Sequence, residues 1–307
     1  MDSNQFISGL AQDFTRRFLE VLAAPLPKRQ RTYGFEYEFL PHRPMEIKDL
    51  AEVENLLTCF GQPGKNGVYF ENGTSVAFEP GGQLEYCSPP LLPHDEAAVE
   101  ELITFILDIN DLIKRRLGIE YLARGYMPGR KDAPLCLTSG RYVNLHRRLA
   151  KSGTRGHEMM KGTAAIHLHV AICSMDEVLP LFYRLCELTG NEMFKMSEVR
   201  RDIWNRTDNT RCGMPPCCIE SMNDPSVLID RLVRFGLKAV ALGEEKPFYL
   251  ASDRSFEAFL YHITTIFTDV RFNLKGTTFE LRTLDSMPVK EFKSRWYRFI
   301  ELTEKIS

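Results

Sequence analysis

The chain has 307 residues, and its 39 Lys plus Arg against 41 Asp plus Glu leave a formal net charge of -2. That length can bury a sizeable core, and the near balance argues against a general nucleic-acid binder, which carries a broad positive excess. No apolar run is long enough to cross a bilayer, and Asp13, Arg16, Arg17 and Glu20 fall where a secretory signal would be apolar. A cytoplasmic protein without a membrane partner is therefore expected.

In chain order, Phe6, Leu10, Phe14, Phe18 and Leu22 recur every four residues and predict an opening helix that Pro25 and Pro27 terminate. Residues 31–40 then alternate, with Phe35, Tyr37 and Phe39 on one side and Gly34, Glu36 and Glu38 on the other. Two carboxylates roughly 7 Å apart on one strand face repel unless a cation or solvent lies between them. A helix near 47–60 leads into the glycine-rich turn at 61–67, and a hairpin around Asn72-Gly73 runs into Glu79. That turn lacks the spacing of a phosphate-cradling loop, and no Gly-X-Gly-X-X-Gly follows a strand. A bound nucleotide would have to be held by metals and arginines.

Residues 79–90, EPGGQLEYCSPP, pack the most polar functionality into a strand-like window. Pro80, Gly81 and Gly82 interrupt regular structure, after which Gln83 and Glu85 share one face and Leu84 and Tyr86 the other. Asp95 to Leu117 is the longest helical pattern, with Gly118 as its stop. A strand at 119–124 precedes an irregular run, 125–139, whose length suggests a mobile or substrate-covering loop. A short basic helix follows. Residues 163–172 form a strand with His167 and His169 on one face, a metal or phosphate site in type.

A helix is expected over 176–188. Residues 199–216 hold four arginines (200, 201, 206 and 211) with Trp204 and Asp208, clustered but not in a helix-face pattern, and read as a loop receiving a small anion. Two strands flank Lys275-Gly276, the second placing Glu280 and Arg282 on one face, and Pro288 opens a closing helix. The eight cysteines include no Cys-X-X-Cys pair, so reduced core thiols are expected, with Cys217-Cys218 read as packing.

Four segments thus present polar faces: Glu36/Glu38, Gln83/Glu85, His167/His169 and Glu280/Arg282. If one sheet carries them, the face is a trough of acids and imidazoles that bound divalent cations make tolerable. Oxygen-rich ligation favours Mg²⁺ or Mn²⁺, and flanking arginines suit phosphoryl transfer.

The ordered pieces GFEYE at 34, EPGGQLE at 79, GRY at 140, MMKGTA at 159, RRDIWNRTDNTRCGMPP at 200, TTIFTDVRFN at 264 and FELR at 279 carry a family likeness. They resemble the plant and bacterial type of the glutamate-cysteine ligase family, within the carboxylate-amine ligases of glutamine-synthetase-like fold. The resemblance implies an α+β fold whose curved, largely antiparallel sheet forms a funnel covered by helices, in one catalytic domain over 1–307. It implies ATP and Mg²⁺ (or Mn²⁺) as cofactors, with glutamate and an amine acceptor, cysteine foremost, as small-molecule substrates. Glutamate would be joined to the amine through a γ-glutamyl phosphate, as in glutathione biosynthesis.

By the family's pattern Glu36, Glu38, Glu79, Glu85 and Glu280 would be metal ligands, with His167 where glutamine synthetases place a histidine ligand. Arg200, Arg211 and Arg282 would be catalytic, and Trp204, Gln83, His169 and Arg141 are candidates for substrate contact. One departure stands out. Where plant-type ligases read QVNLD, this chain has His167, Leu168, His169, Val170 and Ala171, so Ala171 becomes the probe of the acceptor pocket. Two other classes compete: a zinc-dependent hydrolase using His167 and His169, and a non-catalytic nucleotide or amino-acid sensor.

Overall fold

The computed structural model describes residues 3–24, 26, 30–65, 67–218 and 222–305, with side chains from residue 7 onward. Phe6, Pro25 and Pro27 lie outside the described side chains and residues. In order the chain forms α1 (Ser3–Ala23), β1 (Tyr33–Pro41), α2 (Ile47–Leu57), β2 (Gln62–Gly64), β3 (Gly67–Tyr69), β4 (Ser75–Phe78) and β5 (Leu84–Cys87). Next come α3 (Glu96–Leu117), β6 (Tyr121–Leu122), α4 (Gly140–Ser152), α5 (Gly156–Gly162), β7 (Ala165–Ala171), α6 (Val178–Leu188) and α7 (Glu198–Asn205). The remainder is β8 (Cys212–Gly213), α8 (Pro225–Lys238), α9 (Phe256–Ile263), β9 (Phe267–Thr268), β10 (Val270–Asn273), β11 (Thr278–Asp285) and α10 (Val289–Glu304).

The architecture is α+β. Eight strands run in the order β10-β11-β7-β1-β5-β4-β3-β2, β6 adds to β1, and every pairing in this sheet is antiparallel. The short pair β8 and β9 is parallel. Alternation decides which face is wet. Phe35, Tyr37, Leu84, Tyr86, Ile166, Leu168, Phe279 and Leu281 are buried on one side, where α10 closes over them with Phe35 against Phe292 and Trp296 at 5.1 and 5.4 Å. Each such aromatic, once buried, contributes roughly 2 kcal/mol or more. Phe14 and Phe18 of α1 meet Phe259 of α9 and Phe272 of β10, both at 5.0 Å.

Capping explains the longest helix. Asp95 accepts the Ala98 N–H at 3.0 Å, and Gly118 ends α3 in the left-handed region at φ 68°. A second apolar cluster, built on Leu145, Leu149, Met159, Met160, Ile203 and Trp204, joins α4, α5 and α7. It faces the polar side of the sheet, so a cavity is left between cluster and strands.

Two expectations are corrected and one is narrowed, since residues 136–139 of the expected covering loop line the cavity. Residues 198–205 are helical, because Arg200, Ile203 and Trp204 form the buried face of α7 and a buried arginine disguises the apolar period. The 125–139 loop is irregular but pinned. Arg130 donates to the Pro41 carbonyl at 2.9 Å, the Cys136 N–H to Pro80 at 2.7 Å, and Lys161 to Ala133 at 2.6 Å. The thiols are not all reduced, since Cys186 and Cys218 form a disulfide that ties α6 to the chain beyond β8. Those two cysteines are 32 residues apart, a pairing spacing alone does not reveal. Cys217 stays a buried thiol.

Candidate active site

Pairing across β1 assembles the site. Glu36 lies opposite His167 on β7 and Cys87 on β5, and Glu38 opposite Glu85. Gly34 lies opposite His169, which in turn faces Glu280 on β11. Because every second residue points the same way, these pairings put the four polar segments on one face. That face floors a cavity of about 880 Å³, lined among others by Glu36, Glu38, Glu79, Glu85, Gln83 and His167 below. Arg141, Tyr142, Met160, Trp204, Arg271 and Arg282 also line it.

His167 Nδ1 lies 2.6 Å from Glu36 Oε2, while its Nε2 stands 3.7 Å from Glu38 Oε1. Burial and Arg282 push the His167 imidazole below its ordinary range despite the nearby carboxylates. A neutral ring must give its one proton to Glu36 through Nδ1, which leaves the Nε2 lone pair toward Glu38. A carboxylate that orients a histidine for a cation on its other nitrogen is a recurring metal-site device. Donor atoms of Glu38, Glu85 and His167 all lie within 4.8 Å of one another, and so do those of Glu36, Glu85 and Cys87, and of Glu36, His169 and Glu280. The first of these, two carboxylates and an oriented imidazole, fits a divalent cation. Among the described residues no such triad holds both imidazoles, although Glu36 lies 2.6 Å from His167 and 3.5 Å from His169.

The acids are unequal. Burial raises the Glu36 carboxyl, but His169 and His167 outweigh it and hold Glu36 well below the usual range. Burial likewise acts against Glu280, and Arg271 and His169 bring it down to about 2. Arg141 and Arg282 relieve Glu79 only in part. Burial, Glu38 and Glu36 push it up to about 8, and burial with Glu36, Glu79 and Glu38 lifts Glu85 well above the ordinary value. Burial lowers His169, but Glu36 and Glu280 together raise it.

A pH signature follows. Glu79 and Glu85 bind protons in the folded state that an unfolded chain releases above pH ~4.3. Their protonation therefore stabilises the fold fully below that pH, and the gain is lost as pH rises toward about 8. Chelator-treated protein should lose stability between pH 5 and 8. His169 adds to the trend above ~6.5 and His167 opposes it below, while the gain from Glu36 and Glu280 disappears only on acidification. Saturating Mn²⁺ should flatten the profile and release protons on binding at pH 7. Calorimetry in buffers of different ionisation enthalpy measures that release, and none at pH 7 would contradict these assignments.

Not every predicted residue meets the cavity. Gln83 does, yet its amide is spent on structure: Oε1 accepts the Gly81 N–H at 2.8 Å, and Nε2 donates to Thr163 and Met160 carbonyls at 3.0 and 3.3 Å. His169 sits one layer down, with Nε2 3.5 Å from Glu36. Trp204 lines the cavity, with its indole N–H on the Phe267 carbonyl at 3.2 Å. Arg141 lines it too, bonded to the Thr264 carbonyl at 3.2 Å and lying 5.3 Å from the Tyr261 ring centroid.

Arg200 and Arg211 are different. Both are fully buried and neither lines the cavity. Arg200 pairs with Asp285 at 2.7 Å and lies 5.0 Å from the Trp204 ring, and Arg211 holds the Thr265 carbonyl and hydroxyl at 3.2 and 2.6 Å. They lock the segments carrying Trp204 and Thr264. Ala171 continues the histidine face but is fully buried, paired with Thr278, and does not line the cavity.

Two of the cavity residues that escaped the sequence reading are cations. Lys65 reaches it from the β2–β3 hairpin, whose glycine-rich sequence signals a turn and nothing more. Arg271 lies across β10 and β11 from Glu280. Since the two are equally far from the Lys275-Gly276 turn, hairpin symmetry could have found it.

The family model described as glutamate-cysteine ligase family 2 (GCS2) matches residues 32–190, just over half of the chain. Over 280 residues, 78% of the chain, it is 26% identical to "Glutamate--cysteine ligase, chloroplastic" of Nicotiana tabacum, covering 52% of that protein. The Medicago truncatula protein of the same name gives 25% identity, with 78% of this chain and 53% of that one covered. That of Arabidopsis thaliana is 27% identical over 205 residues, 60% of this chain and 38% of the relative. The chain spans about half the length of the first two. No described helix is long and apolar enough to cross a membrane. With the match running through the strands that carry Glu36, Glu38, Glu85 and His167, the chain belongs to glutamate-cysteine ligase family 2.

Proposed function

We propose that this chain is an ATP-dependent carboxylate-amine ligase, a single catalytic domain whose sheet is a funnel of glutamine-synthetase type. It joins the side-chain carboxylate of glutamate to an amine, with cysteine the first acceptor to test, since the relatives are named glutamate-cysteine ligases. One observation carries the reading: a single cavity has acids and an oriented imidazole on its floor, with arginines beside them. A carboxylate resists attack by an amine, and transfer of ATP's terminal phosphoryl group would convert it to an acyl phosphate from which the amine expels phosphate.

Divalent cations, Mg²⁺ or Mn²⁺, would supply charge neutralisation for the triphosphate. Glu38, Glu85 and His167 Nε2 would hold one, Glu36 would fix the His167 ring, and Glu79 lies within the same cavity. Arg282, bonded to Glu280 at 2.9 Å, faces the cavity and would stabilise charge on the transferred group. Arg141 and Trp204 would bind the amino acid at the opposite wall, and Met159, Met160 and Leu145 there would keep water from the acyl phosphate.

The deciding experiment is an ADP-release screen with glutamate constant, amines varied, Mg²⁺ or Mn²⁺ present and products identified by mass. A γ-glutamyl product with stoichiometric ADP supports the reading. No ADP from any pair, or hydrolysis without nucleotide, rejects it in favour of a sensor or a hydrolase. A second acceptor outrunning cysteine changes the substrate, not the chemistry.

A further inference from the structure

Glu280 is fully buried and accepts four N–H donors. Arg271 gives it Nε at 2.7 Å and NH2 at 3.1 Å, Arg282 gives NH1 at 2.9 Å, and Asn273 gives its amide at 2.9 Å. Each carboxylate oxygen takes two of these. A carboxylate has about four lone-pair sites, so all are engaged, three of them in charge-assisted bonds. A cation at Glu280 would have to displace one. The acids at the other end of the trough are far less satisfied. Glu38 Oε2 accepts only the Ala165 N–H, at 2.6 Å, and Glu85 has only the Cys87 thiol, at 3.6 Å.

Arg271 and Arg282 both line the cavity, whereas Glu280 beneath them does not. Two guanidiniums over one carboxylate leave a net positive charge on a floor that is otherwise acidic. Arg271 NH1 and Arg282 NH2 make no hydrogen bond to the described residues. A triad needed only to fill the interior would present neither group to the cavity.

We infer that Glu280 is not a metal ligand but a positioning residue, anchoring Arg271 and Arg282 as a paired clamp for a phosphoryl oxyanion. The inference rests on the ligase reading and deepens it: Arg271 becomes a substrate-contacting residue, and cation binding is confined to the Glu38–Glu85–His167 end. The planar fork suits the task. Once Glu280 fixes one edge of Arg271, the other edge is held for a second oxyanion at little further entropic cost.

The test uses the full chain and two probes, Mn²⁺ followed by electron paramagnetic resonance and inorganic tripolyphosphate followed by calorimetry with Mn²⁺ present. Arg271→Met and Glu280→Gln should each weaken tripolyphosphate about tenfold or more while keeping Mn²⁺ affinity within about twofold. Glu38→Gln should show the reverse order, losing Mn²⁺ first. If Glu280→Gln loses Mn²⁺ as severely as Glu38→Gln, or if Arg271→Met binds tripolyphosphate normally, the inference is overturned. Should Glu280→Gln not fold, Arg271→Met and Arg282→Met, which keep the acid, decide between a clamp and a purely structural triad. Failure of the ligase reading looks different: tripolyphosphate binding would depend on Arg271 while no acceptor yields ADP.

Discussion

Glu85→Gln is expected to abolish metal-dependent ADP formation, by about a hundredfold or more, while making the chelator-treated protein more stable. Both effects have one cause. Glu85 lies opposite Glu38 and shares the cavity with Glu36 and Glu79; burial, together with the charges of Glu36, Glu79 and Glu38, outweighs Arg282 and holds its carboxyl well above its normal range. An amide of the same shape removes that repulsion, and a gain of about 1 kcal/mol would lift the melting midpoint by about 2 °C. Losing an anionic ligand costs several kcal/mol of charge stabilisation in the reaction. Glu36→Ala should behave otherwise, because Glu36 is the acid that the two imidazoles compensate. Its loss should destabilise the chelated fold. Melting curves with and without chelator, beside ADP assays, check both, and a less stable Glu85→Gln at pH 8 would refute the charge argument.

Arg200→Ala should lose about 3 kcal/mol of folding stability or more, read as a lower denaturant midpoint, ahead of any change in substrate affinity. The guanidinium is fully buried between Asp285 at the end of β11 and the Trp204 ring of α7. Removing it leaves a carboxylate without its partner and a void beneath the tryptophan. Arg200→Met keeps most of the volume and should recover part of the loss, which separates packing from charge. If instead Arg200→Ala melts like the parent and raises the KM for glutamate, the arginine contacts substrate and the placement of α7 is wrong.

Much of the floor was legible because its signal has period two. Once Glu36/Glu38, His167/His169 and Glu280/Arg282 alternate with apolar residues, any sheet that buries the apolar set must expose the polar set together. The arginines were harder to read. Arg200 and Arg211 sit in the motif-rich stretch with Trp204, but a motif does not say which of its charges face a ligand. Burial settles that, and burial depends on α7 docking against β11 and on the 264–265 segment, contacts made across 50 residues or more. The disulfide escaped for the same reason. Arg271 was within reach through hairpin symmetry, and Lys65 was not, because nothing in GQPGKNG says which way its hairpin leans.

The strand order carries a kinetic consequence. β1 is flanked by β5 and β7, and its contacts with β7 include residues 131 positions apart in the chain, Glu36 and His167. Pairings of such high contact order close late, after the entropic cost of long loops has been met, so the acids first crowd together near the end of folding. A cation that recognises the finished cluster has little to grip in the transition state. It should act as a brake on unfolding and leave the refolding rate nearly untouched.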